Sequence, residues 1–173
     1  TSIDQGIDFD ILGRRSNPYA HAPKKIGWLT NSSEYMFLVL PKNGKVEGVD
    51  QMFGNNTYGP DHQFAANGFL ALAKYDGSDV RGVKTIGLKD GSLDKNDPVF
   101  HALRLWEDKN LNGVSEPDEL HSLESQKVVA IDLDYRWFYE KDSYGNMTVY
   151  KSVVKYEDGD LDLIFDLWFT YED

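Results

Sequence analysis

Apolar and polar residues alternate most regularly in the last third of the chain. From Val129 to Tyr139 the odd positions are Val129, Ile131, Leu133, Tyr135, Trp137 and Tyr139, with Asp132, Asp134 and Arg136 among those between. A period of two predicts a strand with one buried face. Met147–Tyr156 predicts a second strand after a turn about Gly145. Leu161, Leu163, Phe165, Leu167, Phe169 and Tyr171 predict a third after a turn about Gly159, which makes an antiparallel meander over about 128–171. Near the start, Ile7, Phe9 and Ile11 alternate with Asp8 and Asp10 as a short strand, ahead of a long Pro-containing loop from Ser16 to Pro23. Trp28–Thr30 and Tyr35–Leu40 predict two strands joined at Asn31–Ser33. In the middle the spacing turns helical. Ala65, Phe69, Leu72 and Ala73 share one face of a helix over about 65–75. Val99, Leu103 and Trp106 form the stripe of a second helix from Pro98 to Trp106, with Asp97 as N-cap, and a third is expected from Pro117 to Leu123. The expected architecture is α+β in a single domain, 1–173: antiparallel β-hairpins and a meander flanking a short-helix region at about 65–124.

Composition narrows the function. With 173 residues the chain can bury a sizeable core. A net charge of −11 argues against nucleic-acid partners, which need clustered Lys and Arg, and suits a cation binder. No cysteine is present, so disulfides, thiol catalysis and Cys-zinc sites drop out. No apolar run reaches the ~18 residues that predict a membrane span. The chain begins at Thr1 rather than Met, the form expected when an upstream segment has been removed.

The polar stretch between the second and third expected helices carries the chemistry. From Asp108 to Glu119, oxygen-bearing side chains fall at the first, third, fifth, ninth and twelfth positions: Asp108, Asn110, Asn112, Glu116 and Glu119. Gly113 is sixth, and the carbonyl of Val114 would serve at the seventh. Calcium is a hard ion that takes ~6–8 oxygens, and an EF-hand loop presents them at this spacing with glycine at its sharp turn. The same residues also suit an acidic Asn/Gly turn, with Glu116 and Asp118 capping the next element.

A second segment looks like the back half of such a loop. Asp90, Gly91, Ser92, Asp94 and Asp97 would take positions five, six, seven, nine and twelve, with Asp76 first. Asp76 to Asp97 spans 22 residues, so an insert of ten lies between Asp76 and Asp90. Loop closure tolerates such an insert because its entropy cost grows slowly with length. A third copy, Leu40 to Gly54, has Pro41 at the first position and is too short, and no ion is expected there. Because ten residues separate Asp97 from Asp108, one helix is expected to serve as exit of one loop and entry of the next. The segment Asn43–Glu47 is the expected scaffold partner for one of the loops.

Together these segments resemble an EF-hand-like calcium-binding module of large secreted bacterial proteins of the haemolysin/RTX type. The resemblance rests on Gly27-Trp28, Leu38-Val39-Leu40, Asn67-Gly68-Phe69, Asp97-Pro98-Val99-Phe100, Leu103-Arg104-Leu105-Trp106-Glu107-Asp108, Glu119-Leu120 and Asp166-Leu167-Trp168-Phe169. It implies calcium as cofactor, one ion at the Asp108 loop and room for a second at the Asp76 loop. It also implies a secreted or cell-surface location, with other domains of a larger secreted protein as partners; it does not imply an enzymatic activity, and none is expected. Neither nucleic acid nor membrane insertion is expected. On these grounds the chain reads as a calcium-dependent structural module.

Two alternatives stay open: an adhesin-like or glycan-binding module using Tyr35, Tyr135, Trp137, Tyr139 and Trp168, and a carboxylate hydrolase using Asp132, Asp134, Asp162 and Asp166. Strand alternation places most of those aromatics in the core and those acids on a solvated face. His21, His62, His101 and His121 show no paired zinc spacing, and neither a nucleophile elbow nor a phosphate loop occurs.

Overall fold

The computed structural model describes residues 1–32 and 34–173. Its architecture is mostly β. In chain order the strands are β1 (Ile7–Phe9), β2 (Lys24–Ile26), β3 (Phe37–Val39), β4 (Ser92–Asp94), β5 (Arg104–Trp106), β6 (Leu120–Ser122), β7 (Val128–Asp132), β8 (Arg136–Lys141), β9 (Met147–Tyr156) and β10 (Leu161–Trp168). Among the described residues the one α-helix is α1 (Gly68–Ala73). Single 3-10 turns stand at Gly13–Arg15, Val49–Gln51, Pro98–His101 and Pro117–Glu119.

The expectation of an α+β fold with a helical region at about 65–124 is therefore wrong. The first expected helix shrinks to α1, whose N-cap Asn67 accepts the Leu70 amide at 2.8 Å. Pro98–His101 makes only a 3-10 turn, and the chain then straightens into β5. Pro117–Glu119 does the same before β6. The physical reason is lateral pairing. Arg104–Trp106 lies between β3 and β6, so its backbone groups are spent on sheet partners rather than on a helix ladder. The spacing of Val99, Leu103 and Trp106 fits a helix face, but a turn followed by a strand buries the same three residues completely. The shared helix between the two acidic loops falls with it.

Three antiparallel sheets result. β1 pairs β2; β3, β5 and β6 make a second; and the third runs β10-β9-β7-β4, with β8 also on β9. The expected single strand Val129–Tyr139 is broken between β7 and β8, and both halves lie along β9. Strands 8, 9 and 10 form the meander. The residue pairing of Trp28–Thr30 with Tyr35–Leu40 is not formed; β2 ends at Ile26 and pairs β1 instead, and Ser33 of the expected joint lies outside the described residues.

Two apolar clusters flank the acidic loops. One gathers Leu72, Leu93, Val99, Phe100, Leu103, Leu123 and Ile131 beneath the Asp76–Asp97 segment. The other is aromatic, with Phe9, Trp28 and Trp106 around Ile7, Ile26 and Val39. Trp28 sits at its centre, with ring centroids of Phe37, Phe169, Phe9 and Trp106 at 4.9, 5.2, 5.3 and 5.8 Å. A ring packed this deeply needs an acceptor for its N–H, and that acceptor is the first residue of the Asp108 loop.

Candidate metal centre

Asp108 is fully buried. Its Oδ2 accepts the Gly113 amide at 2.8 Å and the Trp28 indole N–H at 2.7 Å, while Oδ1 accepts the Asn112 amide at 3.1 Å. The chain thus curls around the first carboxylate. Leu111 and Gly113 both take positive φ, 59° and 71°, to make that curl. At Gly113 a Cβ would stand 2.0 Å from Ile7 Cδ1, so the glycine serves both the turn and the seat of the loop on β1. Asn110 Oδ1 accepts the Asn112 amide at 3.1 Å, and Asn112 Oδ1 accepts the Val114 amide at 2.7 Å.

Glu119 closes the loop. Its Oε1 accepts the Lys109 amide at 2.8 Å, and its Oε2 accepts the Trp106 indole at 3.2 Å and the Glu116 amide at 3.3 Å. The backbone closes in parallel, the Glu107 amide donating to the Glu119 carbonyl at 3.0 Å. Glu116 Oε1 accepts the Asn112 side-chain amide at 3.0 Å. Its other oxygen, Oε2, is buried and has no hydrogen-bond donor. The Glu116 and Glu119 carboxyl groups are in contact: burial first, then Glu116, push the Glu119 carboxyl above the usual range, whereas donation from Asn112 holds Glu116 below it. Two carboxylates meeting without a donor between them require a proton or a cation.

The Asp76–Asp97 segment repeats this scheme across its insert. Asp76 accepts the amides of Asp90 (3.2 Å) and Gly91 (2.9 Å), as Asp108 accepts those of Asn112 and Gly113. Asp90 accepts the Ser92 amide at 3.0 Å. Asp97 accepts the Gly77 amide at 2.6 Å and the Asp94 amide at 2.8 Å, the counterparts of Lys109 and Glu116. Asp76 and Asp97 are buried, and burial raises the Asp97 carboxyl above its ordinary range. Two candidate ligands turn elsewhere: Ser92 Oγ donates to the Ile131 carbonyl at 3.4 Å, and Asp94 Oδ1 accepts the Asn96 amide at 2.7 Å.

Among the described residues no three His, Asp or Glu side chains converge as a ligand set. The Asp108 loop would draw on Asn110, Asn112 and the Val114 carbonyl as well, and its carboxylates are at present turned to N–H donors. The donor chemistry fits a hard cation: oxygen only, with two carboxylates in uncompensated contact.

Two contacts were not anticipated from sequence. Trp28 and Trp106 donate their indole N–H groups to the two end carboxylates, a role that follows from the need of any buried indole for an acceptor. Ser115 Oγ accepts the Val46 amide at 2.8 Å, which joins the main loop to the segment Asn43–Glu47. The aromatics of β8 differ from expectation too. Trp137 and Tyr139 are 67% and 52% exposed, their rings stacked at 6.0 Å and 9°.

Comparison with known proteins adds two findings. A family model described as the SPM domain matches residues 1–170. The iron-regulated protein FrpA of Neisseria meningitidis serogroup C is 31% identical over 110 residues, covering 64% of this chain and 9% of FrpA. The chain thus spans less than a tenth of that relative's length.

Proposed function

We propose, for a chain that belongs to the SPM domain family, that it is a calcium-dependent structural module of a larger secreted bacterial protein, with the ion held by the Asp108–Glu119 loop. The observation that carries this reading is the contact between the Glu116 and Glu119 carboxyl groups, with Glu116 Oε2 buried and without a donor, in a loop already curled around Asp108. Asp108, Asn110, Asn112, the Val114 carbonyl, Glu116 and Glu119 would hold the cation. When bound, it supplies positive charge between carboxylates that otherwise repel. Because the loop joins β5 to β6 and rests on β1, ion binding becomes folding free energy for the aromatic cluster. Binding at 100 times the dissociation constant contributes ~2.7 kcal/mol. Calcium is scarce in the cytosol and near millimolar outside cells, so a modest affinity would tighten the module after export. The test is a calorimetric calcium titration, together with melting in calcium and in excess chelator. Saturable binding with a raised Tm is expected; equal melting temperatures and no heat of binding refute the reading.

A second reading has its own observation. The stacked, solvent-facing Trp137 and Tyr139 offer a flat aromatic platform of the kind that holds a sugar ring. A glycan array probed with the parent chain and with Trp137→Ala tests it, and a blank array removes it.

A further inference from the structure

β10 is an edge strand. Its sheet runs β10-β9-β7-β4, so among the described residues no strand pairs on its outer side. That side is open from Leu161 to Phe165. Beyond it a bulge falls between Asp166 and Leu167, the Gly27 amide donates to the Thr170 carbonyl at 3.0 Å, and Tyr171 bridges Ile26. Leu163 shows which backbone groups face the open side. It stands opposite Val153 of β9, yet its amide donates to Oδ1 of its own neighbour, Asp162, at 2.8 Å. In an antiparallel ladder the residues of one strand direct their N–H and C=O groups alternately to its two sides. Leu161, Leu163 and Phe165 therefore turn theirs outward, while Asp162 and Ile164 turn theirs to β9. The same three residues carry exposed side chains, at 66%, 48% and 38%. Phe138 extends their face, its ring centroid 5.6 Å from that of Phe165. Natural sheet edges are kept short or charged, which stops other chains from adding to them. The remaining strands with an open side follow that rule. β1, β2, β3, β4 and β6 have three residues each, and β8 carries Arg136, Glu140 and Lys141. On β10 the open stretch holds one acid, Asp162, between its leucines.

We propose that this edge is a contact between two copies of the chain, β10 adding to β10 of a second copy about a two-fold axis at Leu163. The register follows from the outward groups. With Leu163 opposite itself, Leu161 of each copy meets Phe165 of the other. Every outward N–H and C=O of the open stretch is then paired, and each exposed apolar side chain gains an apolar neighbour across the strands. Asp162 falls opposite Ile164, so no two acids face each other. The stretch Leu-Asp-Leu-Ile-Phe is apolar on both sides of its middle leucine, which is what a two-fold pairing requires, and this selects a second copy over an unrelated strand. Pairing displaces Asp162 from the Leu163 amide. Five residues a side are far fewer than the ~20–30 of a stable interface, so the dimer is weak and concentration-dependent. It uses nothing from the Asp108 loop and does not rest on the calcium reading.

Sedimentation velocity of the whole chain, from micromolar to millimolar, tests the contact, and cysteine variants test its register. The chain has no cysteine of its own, so every disulfide comes from the introduced residues. The parent should pass from monomer to dimer as concentration rises. Leu163→Lys changes an exposed position and sets two like charges directly opposite, so association should weaken about tenfold or more with the Tm unchanged. In air, Leu163→Cys should form a covalent dimer, because residues opposed in a hydrogen-bonded pair stand ~5.5 Å apart, inside the ~4.4–6.8 Å that a disulfide spans. Leu161→Cys should not, since its own copy lies ~13 Å along the facing strand from the residue opposite it. Leu161→Cys combined with Phe165→Cys should cross-link again. A monomeric mass up to millimolar concentration overturns the proposal. So does a dimer that Leu163→Lys leaves intact, or Leu161→Cys cross-linking as fast as Leu163→Cys, because the copies would then meet through another surface or register. Growth beyond the dimer overturns it too, since a two-fold pairing of edges closes on itself.

Discussion

Replacing Trp28 by Phe separates one hydrogen bond from the packing around it. The indole N–H of Trp28 donates to Asp108 Oδ2 at 2.7 Å inside the protein, with both residues buried. Phe keeps an aromatic ring among Phe9, Phe37, Trp106 and Phe169 but gives the carboxylate no donor. Loss of a hydrogen bond to a charged, buried group costs about 1.5–3 kcal/mol. The smaller ring leaves a void beside four aromatic neighbours, for which we add about 1–2 kcal/mol. The sum, roughly 3–5 kcal/mol, corresponds at about 2–4 °C per kcal/mol for a chain of this size to a fall in Tm of about 6–20 °C. The two contributions are distinguished by a double-mutant cycle with Asp108→Ala, measured by urea unfolding in chelator and followed by far-UV circular dichroism. The coupling energy should be about 1.5–3 kcal/mol, because the void is made equally in both arms and only the hydrogen bond is counted once. Additivity within about 0.5 kcal/mol refutes the view that Trp28 anchors the loop through its N–H.

Four further outcomes are expected. Asp108→Ala should abolish calorimetric calcium binding at the main loop, since it removes the carboxylate about which the loop curls. Glu119→Gln should weaken calcium strongly and reduce discrimination against magnesium, because a carboxylate able to bind with both oxygens favours the larger ion; a titration with each metal reads this. Gly113→Ala should destabilise by several kcal/mol in chemical denaturation, through a positive φ and a Cβ placed 2.0 Å from Ile7 Cδ1. Asp166 is buried, accepts the Gly68 amide at 3.0 Å, and has its pKa raised chiefly by burial. A carboxyl whose folded pKa lies above its unfolded value stabilises the fold at low pH and loses that contribution as pH rises through the folded pKa. Relative to the parent, Asp166→Asn should therefore gain stability with increasing pH above about 4, read from urea midpoints across that range.

The strands were legible because alternation leaves a strong signal, but the direction of each face was not. Leu161, Leu163 and Phe165 stand outward on β10, while Ile164 packs on the core and Asp166 is buried. Period two says that two sets of residues face opposite ways; it does not say which set meets the core. A bulge between Asp166 and Leu167 then shifts the register, so the alternation from Leu161 to Tyr171 describes one continuous face that does not exist. The helices failed for a different reason. Apolar residues three and four apart satisfy a helix, but the entry and exit of the Asp108 loop pair with each other as β5 and β6, and lateral pairing outweighs local propensity. The loop itself was legible since Asp, Asn and Gly at fixed spacing specify a backbone path.

Set side by side, the three loop copies show which part of the design outlasts the charge. In each, the closing residue accepts the amide three positions earlier: Gly48 on Gln51 at 3.2 Å, Asp94 on Asp97 at 2.8 Å and Glu116 on Glu119 at 3.3 Å. Each also closes a turn back to the carbonyl of that same earlier residue, at 3.1, 2.9 and 3.0 Å. In the first copy the acceptor is a neutral amide oxygen, and the turn forms all the same. Closure therefore needs an oxygen, not a charge. What charge adds is a cost, since a buried carboxylate must be compensated. The first copy avoids that cost with Gln51. The second meets it with a full set of amide donors. Among the described residues, only the third leaves a buried carboxylate oxygen, Glu116 Oε2, with no donor. A loop that could close as well with glutamine, yet keeps two acids in contact, has a use for their charge, and a cation from solution is the partner that its all-oxygen donor set would select.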